Sequence, residues 1–169
     1  MMDKWLLSKL SKLVKESTDN FMKHEYSHTK LETDKFFWQM FCDNYLEIVK
    51  KRVYKGSGNK KKSAQYTLYH SLLSILKLFA PITPFVCEEI YLEYFKEGKN
   101  NGIEKDKSIH LSEWPSVFGK IDKGGELDLF LEILSKVRQA KSDNKKAMNA
   151  EINLSLSKKD LSGIDGMQE

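Results

Sequence analysis

Apolar residues recur along this chain at the spacing of α-helices, and one stretch is denser than the rest. Residues 36–54, FFWQMFCDNYLEIVKKRVY, begin with six apolar residues in seven positions and then return to helical spacing at Phe41, Tyr45 and Ile48. A helix that is apolar nearly all round has to be covered on more than one side. The pattern therefore predicts a long helix over residues 29–55 that runs through the middle of a bundle.

The same periodicity predicts helices on both sides of this central one. They cover, in chain order, residues 4–22, 64–79, 84–96 and 126–141. Gly56 is a helix stop, after which GSGNKKK at residues 56–62 is expected to form a flexible basic loop. Thr83 followed by Pro84 is typical of an N-cap and a first helical position. The first helix is expected to bury Leu6, Leu10, Leu13, Val14, Ser17 and Phe21, and the last Leu127, Leu131, Leu134 and Val137.

Extended segments are predicted towards the end of the chain, in addition to a helix. Residues 109–115 are expected to be extended, and EINLSLS at residues 151–157 alternates as a strand does. One strand cannot close a sheet, so the chain is expected to stop inside a further subdomain. The fold class is therefore all-α, a bundle of about five helices with the start of a small α/β appendage at the C-terminus. We assign residues 1–115 to the bundle and residues 116–169 to the fifth helix, the strand and a truncated C-terminal subdomain.

Composition places the chain among ordinary globular proteins. Hydrophobic residues make up 40% and charged residues 31%, a balance that does not favour disorder. No apolar run approaches the roughly 20 residues that span a bilayer, and no export signal is visible at the N-terminus. Cys42 and Cys87 lie in apolar helical patterns, as buried free thiols do in a reducing compartment. We therefore expect a cytoplasmic protein with no membrane partner.

The positive charge is unevenly distributed. The net charge is +4, yet residues 1–62 alone carry 14 Lys and Arg against 8 Asp and Glu. Residues 63–115 are slightly acidic and residues 116–169 are neutral. A basic first third suits a polyanion that meets one face of the fold, although such an excess also occurs on solvated surfaces.

Several segments, in order, resemble the anticodon-binding helical bundle of class I aminoacyl-tRNA synthetases. They are DKWLLSKL at residues 3–10, APITPFVCEEIY at 80–91, SIHLSEWP at 108–115 and VRQAKSDNKKAMNAEI at 137–152. Within that group, residues 36–54 resemble the valyl-tRNA synthetase version, in which Phe-Cys-Asp, matched by Phe41, Cys42 and Asp43, replaces the Ser-Asn of the isoleucyl enzyme. The resemblance covers residues 3–156. Asn44 departs from it, because the family commonly has Trp there.

The resemblance implies a function in tRNA binding. It implies recognition of the anticodon stem and loop of tRNA(Val), which sets the tRNA in register for aminoacylation by an upstream catalytic domain. The His-Ile-Gly-His and Lys-Met-Ser-Lys-Ser signatures of that domain are absent from this sequence, so the segment alone is expected to be inactive. The parent valine–tRNA ligase would use ATP and magnesium, whereas no cofactor is expected here. The other partners implied are the catalytic and editing domains of the parent chain, and DNA is not among them.

Two basic stripes are candidate RNA contacts, since unpaired bases are read by aromatic or Arg planes while cations hold phosphates. The predicted RNA-binding residues are Lys4, Trp5, Ser8, Lys12 and Lys15 on the first helix and Arg138, Lys141 and Lys145 on the last. The alternatives are a core role for Trp5 and solvated or salt-bridged lysines. We interpret Lys50, Lys51 and Arg52 as stabilising a helix end, and residues 60–62 as either phosphate contacts or a solubility loop.

Two other functions compete with RNA binding. His24, Glu25 and His28 satisfy the H-E-x-x-H pattern of zinc metalloproteases, in which two histidines one helical turn apart bind the metal. The motif falls at a predicted helix junction and no third ligand stands out, so chance occurrence is favoured and no metal ligand is assigned. A purely protein-binding helical bundle is the second alternative.

Overall fold

Helices account for most of the chain that the structure describes. The computed structural model describes residues 2–100, 102–119, 125–147, 150–151 and 153–155, with only the backbone at residues 125–127. The α-helices are α1 (Met2–Met22), α2 (Tyr26–Lys35), α3 (Glu47–Lys55), α4 (Gly58–Phe79), α5 (Pro84–Tyr94) and α6 (Gly125–Asp143). A π-helical segment, Phe36–Leu46, joins α2 to α3, and a short 3₁₀ turn, Ile109–Leu111, follows α5. The all-α class is thus confirmed.

The predicted central helix exists, but its middle is wound as a π-helix. Its buried residues step through Thr29, Thr33, Phe36, Phe41, Tyr45 and Val49. The step from Phe36 to Phe41 is five residues, longer than an α-turn allows on one face. Hydrogen bonds between residues five apart widen the helix at this point. The wider winding brings Phe41, rather than Met40, onto the buried face.

The apolar run predicts a helix covered on more than one side, but part of the run is open to solvent. The ring of Trp38 is 60% exposed, and Gln39 and Asp43 are also exposed. Only Phe36, Phe41 and Tyr45 of the π-helical segment are buried. The apolar run therefore supplies one buried face and one face open to solvent within the described chain.

Helices α1, α2 and α4 and the π-helical segment form the centre of the bundle. Helix α1 packs against the other three through Trp5, Leu6, Leu10, Leu13 and Val14. The predicted core face of α1 is confirmed apart from Phe21, which is only partly buried. Trp114 covers that ring edge-on at 5.0 Å between centroids and donates a hydrogen bond to Thr18 Oγ1 at 3.0 Å.

A second apolar cluster joins α4 to α5 and the 3₁₀ turn. It contains Leu73, Leu76, Ala80, Cys87, Tyr91, Phe95 and Ile109. Helix α4 ends at Phe79, before Pro81, and α5 begins at Pro84, as predicted. Thr83 occupies the N-cap position without a side-chain capping bond, and its hydroxyl donates to Phe79 O at 3.4 Å instead. Cys87 is buried and Cys42 is partly buried, both as free thiols.

The predicted loop over residues 56–62 is mostly helix. Helix α4 starts at Gly58, so Lys60, Lys61 and Lys62 lie in its opening turns. Gly56 and Ser57 alone connect α3 to α4. A Cβ at Gly56 would meet the carbonyl oxygen of Arg52, and Gly58 has a φ of 62°, so this reversal depends on glycine. The two residues turn the chain sharply and bring the ends of α3 and α4 together.

The chain divides into two compact units, Met1–Asp122 and Lys123–Glu169. This division falls later than the predicted boundary after residue 115. In the second unit Leu131, Leu134 and Val137 are partly buried on α6, while the side chain of Leu127 lies outside the described residues. The described part of the predicted strand, residues 151 and 153–155, has no regular structure, and the rest of it lies outside the described residues. Among the described residues, no helix is long and apolar enough to cross a membrane.

Candidate nucleic-acid interface

One buried carboxylate ties four elements of the first unit together. Asp3, on α1, accepts hydrogen bonds from Tyr45 Oη at 2.7 Å, from Ser63 Oγ at 2.5 Å and from both terminal nitrogens of Arg52, at 2.5 and 3.2 Å. These donors come from the π-helical segment, from α4 and from the last turn of α3. The carboxylate therefore holds the start of α1, the end of α3 and the start of α4 at one end of the unit.

The network keeps Asp3 charged. Burial by itself would raise the pKa of this carboxyl, but the hydrogen bonds from Arg52, Ser63 and Tyr45 and the charge of Arg52 outweigh it. The pKa of Asp3 is consequently below its ordinary value. Burial and the bond to Asp3 raise the pKa of Tyr45 strongly, so its hydroxyl stays a donor. Arg52 is thus a structural residue, in line with its interpretation from the sequence.

Lysines surround this network along the chain. We define the basic pole as the lysines within three positions of Asp3, Arg52 or Ser63 that make no hydrogen bond or ion pair with the described residues, together with the exposed Tyr54 between two of them. They are Lys4, Lys51, Tyr54, Lys55, Lys61 and Lys62. Residues 48–87 contain eight Lys and Arg and no Asp or Glu. Asp3 is already engaged by Arg52 and Glu47 by Lys50, so the pole has a net positive charge.

Several other lysines of the same unit form ion pairs with carboxylates. Lys12, Lys30, Lys35, Lys50 and Lys99 each have a carboxylate oxygen within 4 Å. Among the described residues, no such pair is formed by Lys51, Lys55, Lys61 or Lys62. These four lysines therefore have no carboxylate partner in the described part of the chain.

The start of α4 is also electrostatically unfavourable. Three lysines occupy its opening turns, no acidic residue lies in its first turn, and the N-cap Ser57 makes no side-chain capping bond. Cations near a helix N-terminus oppose the helix dipole. The basic pole therefore contains repulsions that an anionic ligand would relieve.

The structure divides the residues predicted on α1 between surface and core. Lys4, Lys12 and Lys15 are exposed, Ser8 is partly buried, and Lys12 Nζ lies 3.7 Å from a carboxylate oxygen of Glu16. The ring of Trp5 is only 2% exposed. A buried ring offers no face to a base, so the stacking role predicted for Trp5 does not hold in this structure, and the core role does.

The second predicted stripe lies in the other unit. Arg138 and Lys141 are partly buried on α6, and Lys145 is exposed just beyond its end, with a φ of 50°. Each of these residues is well placed on its own unit for a solvent contact. Their role in RNA binding stays a prediction.

The sequence pattern gives little indication of the basic pole. The sequence pattern indicates a helix-end cation at Lys51 and either phosphate contacts or a solubility loop at residues 60–62, and it gives Tyr54 no role. The available signal was the run of forty residues without a carboxylate, residues 48–87. Its meaning depends on Asp3 joining α1, α3 and α4, a contact between residues 49 and 60 positions apart.

The H-E-x-x-H segment does not have the geometry of a zinc site. His24 has a φ of 62° and lies between α1 and α2, whereas His28 is on α2. The two histidines therefore do not stand one turn apart on a single helix, which the metalloprotease pattern requires. Among the described residues, no group of three or more His, Cys, Asp or Glu is arranged to hold a metal ion.

Comparison with known proteins identifies related sequences. A family model described as "Anticodon-binding domain of tRNA ligase" matches residues 3–156. The chain is similar to the valine–tRNA ligases of Rickettsia felis and Wolbachia pipientis wMel, at 40% identity over 96% and 95% of its length. It is also 40% identical, over 83% of its length, to the valine–tRNA ligase of Anaplasma marginale. The match covers 18%, 18% and 16% of those three proteins, so this chain spans less than a fifth of their length.

Proposed function

This chain belongs to the family of anticodon-binding domains of tRNA ligases, and we propose that it binds the anticodon stem and loop of tRNA(Val). Binding there would hold the tRNA in register, so that its acceptor end reaches a catalytic domain elsewhere in a longer chain. The names of the relatives, valine–tRNA ligases, support valine over other amino acids. The family match over residues 3–156 is the observation that carries this proposal.

The remaining features of the proposal concern the longer chain. Valine activation, with ATP and magnesium, would belong to the catalytic domain, and the editing domain would be a second partner within that chain. This segment would contribute RNA affinity and no catalytic group. The cytoplasm is the proposed compartment, consistent with the free thiols of Cys42 and Cys87.

The electrostatics of the first unit support RNA as the ligand. RNA phosphates would be attracted to the basic pole, where Lys51, Lys55, Lys61 and Lys62 form no ion pair with the described residues. Neutralising phosphates releases counterions, so binding of this kind weakens steeply as salt rises. A protein-binding bundle that used its apolar surface would lack that dependence.

A fluorescence-anisotropy titration tests the proposal. The full chain is titrated into labelled tRNA(Val) and into the same tRNA with a foreign anticodon, each at two salt concentrations. We expect tighter binding to the tRNA with the valine anticodon and a steep loss of affinity for both at the higher salt. Equal affinity for the two tRNAs would refute the anticodon specificity. Binding that salt leaves unchanged would instead favour an apolar protein interface.

A further inference from the structure

We propose that the basic pole binds unpaired RNA, with Tyr54 stacking against one base and the lysines around it holding the adjacent phosphates. This inference rests on the proposed function and locates a site for it. It assigns a role to a tyrosine that the fold does not use. It also accounts for the lysines of the basic pole, which form no ion pair with the described residues.

The exposure of Tyr54 is the first observation. Its side chain is 79% exposed in the last turn of α3, whereas Tyr45 and Tyr91 are fully buried and donate hydrogen bonds to Asp3 and to Asp106 O. A ring so exposed contributes little apolar burial to folding. Both faces of an aromatic ring remain useful for stacking, and base–aromatic stacking tolerates any base.

The charge around Tyr54 is the second observation. Lys51 and Lys55 lie on the same helix, three positions before it and one after it, and Arg52 turns inward to Asp3. Across the glycine-dependent turn, Lys61 and Lys62 come from the start of α4. Because Ser63 and Arg52 both donate to Asp3, the two helix ends are held together. Tyr54 thus has two lysines close by on its own helix, whereas the exposed Tyr66 near Ser63 already contacts the ring of His70 at 4.1 Å between centroids.

The combination favours an unpaired segment over a duplex. A duplex presents phosphates to cations but keeps the faces of its bases stacked and hidden. An unpaired segment offers phosphates and base faces together, and an exposed ring among lysines matches both. Tyr54 would then contribute affinity that does not depend on salt, whereas the lysines would set the salt dependence.

The experiment measures binding of an unstructured oligoribonucleotide of about 10 nucleotides, and of a duplex of the same length, at several salt concentrations. The full-length chain is compared with Tyr54→Ala and Tyr54→Phe. Tyr94→Ala is the matched control, because Tyr94 is 57% exposed in the last turn of α5 but follows Glu93. Thermal melting confirms that each variant is folded.

We expect Tyr54→Ala to weaken binding of the single strand by about 5-fold to 100-fold, with an unchanged salt slope. Tyr54→Phe, which keeps the ring, and Tyr94→Ala should bind like the unmodified chain. Duplex binding should be insensitive to Tyr54. Single-strand binding that is the same with and without the Tyr54 ring would overturn the inference, as would an equal loss for the duplex.

A charge series tests the lysines separately. The double variant Lys51→Gln, Lys55→Gln should reduce the magnitude of the salt slope by about 1.4, since each single-strand phosphate contact contributes about 0.7. The control, Lys30→Gln with Lys99→Gln, removes two lysines that already have carboxylate partners and should leave the slope unchanged. Equal slopes in the two double variants would refute the lysine contacts.

The two proposals fail in different ways. If the unmodified chain binds tRNA(Val) with anticodon preference but Tyr54→Ala binds it equally well, the site is wrong and the function stands. If the unmodified chain binds neither tRNA nor the oligonucleotide at low salt, the proposed function fails and the site fails with it.

Discussion

Trp5 is buried in the fold, whereas Trp38 is exposed. Trp5 begins a helix beside a lysine and was predicted to stack on a base, yet it is 2% exposed. Trp38 lies in the densest apolar run, on a helix expected to be covered on more than one side, yet it is 60% exposed. Residue type and spacing predict helical faces well, but which face a neighbouring helix covers depends on packing partners distant in sequence.

These burials predict opposite effects of two equal substitutions. Trp5→Ala should lower the free energy of unfolding by about 3–5 kcal/mol, because it leaves a large cavity in the core. Trp38→Ala should change it by less than about 1 kcal/mol, because the ring is largely in solvent. Urea denaturation followed by circular dichroism measures both. A small effect of Trp5→Ala combined with lost RNA affinity would return Trp5 to the binding surface.

At the scale of single elements, boundaries were predicted more reliably where proline or glycine marks them. The end of α4 before Pro81 and the start of α5 at Pro84 follow from the geometry of proline. The start of α4 at Gly58 was missed, because three consecutive lysines and two glycines resemble a loop. The turn at Gly56 and the bond from Ser63 to Asp3 explain why helix begins there. The π-helical segment could not be foreseen, since the extra residue in its turn is visible only once the buried face is known.

The helix dipole gives a test of the basic pole at this scale. Lys61 lies in the first turn of α4 and Lys55 in the last turn of α3. Lys61→Glu should stabilise the fold by about 0.3–1 kcal/mol, and Lys55→Glu should destabilise it by a similar amount. Both variants should bind RNA more weakly, because each replaces a cation by an anion in the pole. Urea denaturation measures the stability and anisotropy measures the affinity. Only Lys61→Glu is expected to raise the stability while lowering the affinity.

A loss of stability in Lys61→Glu would contradict this account. If Lys61→Glu both destabilised the fold and weakened binding, the lysine would be a structural residue. The placement of three cations at the start of α4 would then not be explained by an anionic ligand.

At the scale of the whole molecule, the first unit is held at one end by charge and elsewhere by apolar packing. Asp3 joins three helices and the π-helical segment through Tyr45, Arg52 and Ser63. Its pKa is lower in the folded chain than its ordinary value of 3.8. Stability from this group is therefore fully present above that ordinary value and is lost as the pH falls toward the folded pKa.

The substitution Asp3→Asn tests this network. At pH 7 it should lower the free energy of unfolding by about 2 kcal/mol, because Arg52 loses its charged partner while remaining partly buried. The difference from the unmodified chain should shrink as the pH falls from about 3.8 toward the lower folded pKa of Asp3, because the unfolded chain binds the proton first. Asp34→Asn, in an exposed i, i+4 pair with Lys30, is the control and should have little effect at any pH. A difference that persisted at low pH would show that shape, not charge, matters at Asp3.

The all-α class, most helix ranges and the family follow from the sequence, because helical periodicity, proline positions and ordered motifs are local properties of the chain. The sequence also showed that the first third is basic. Only the tertiary structure decided which aromatic residues are buried and which cations gather, since a bond such as Arg52 to Asp3 spans 49 positions. Burial and charge clustering depend on such distant contacts, which no local pattern specifies. For that reason the local pattern singled out Trp5 on α1, which the folded chain buries, and gave no role to Tyr54, which it leaves exposed.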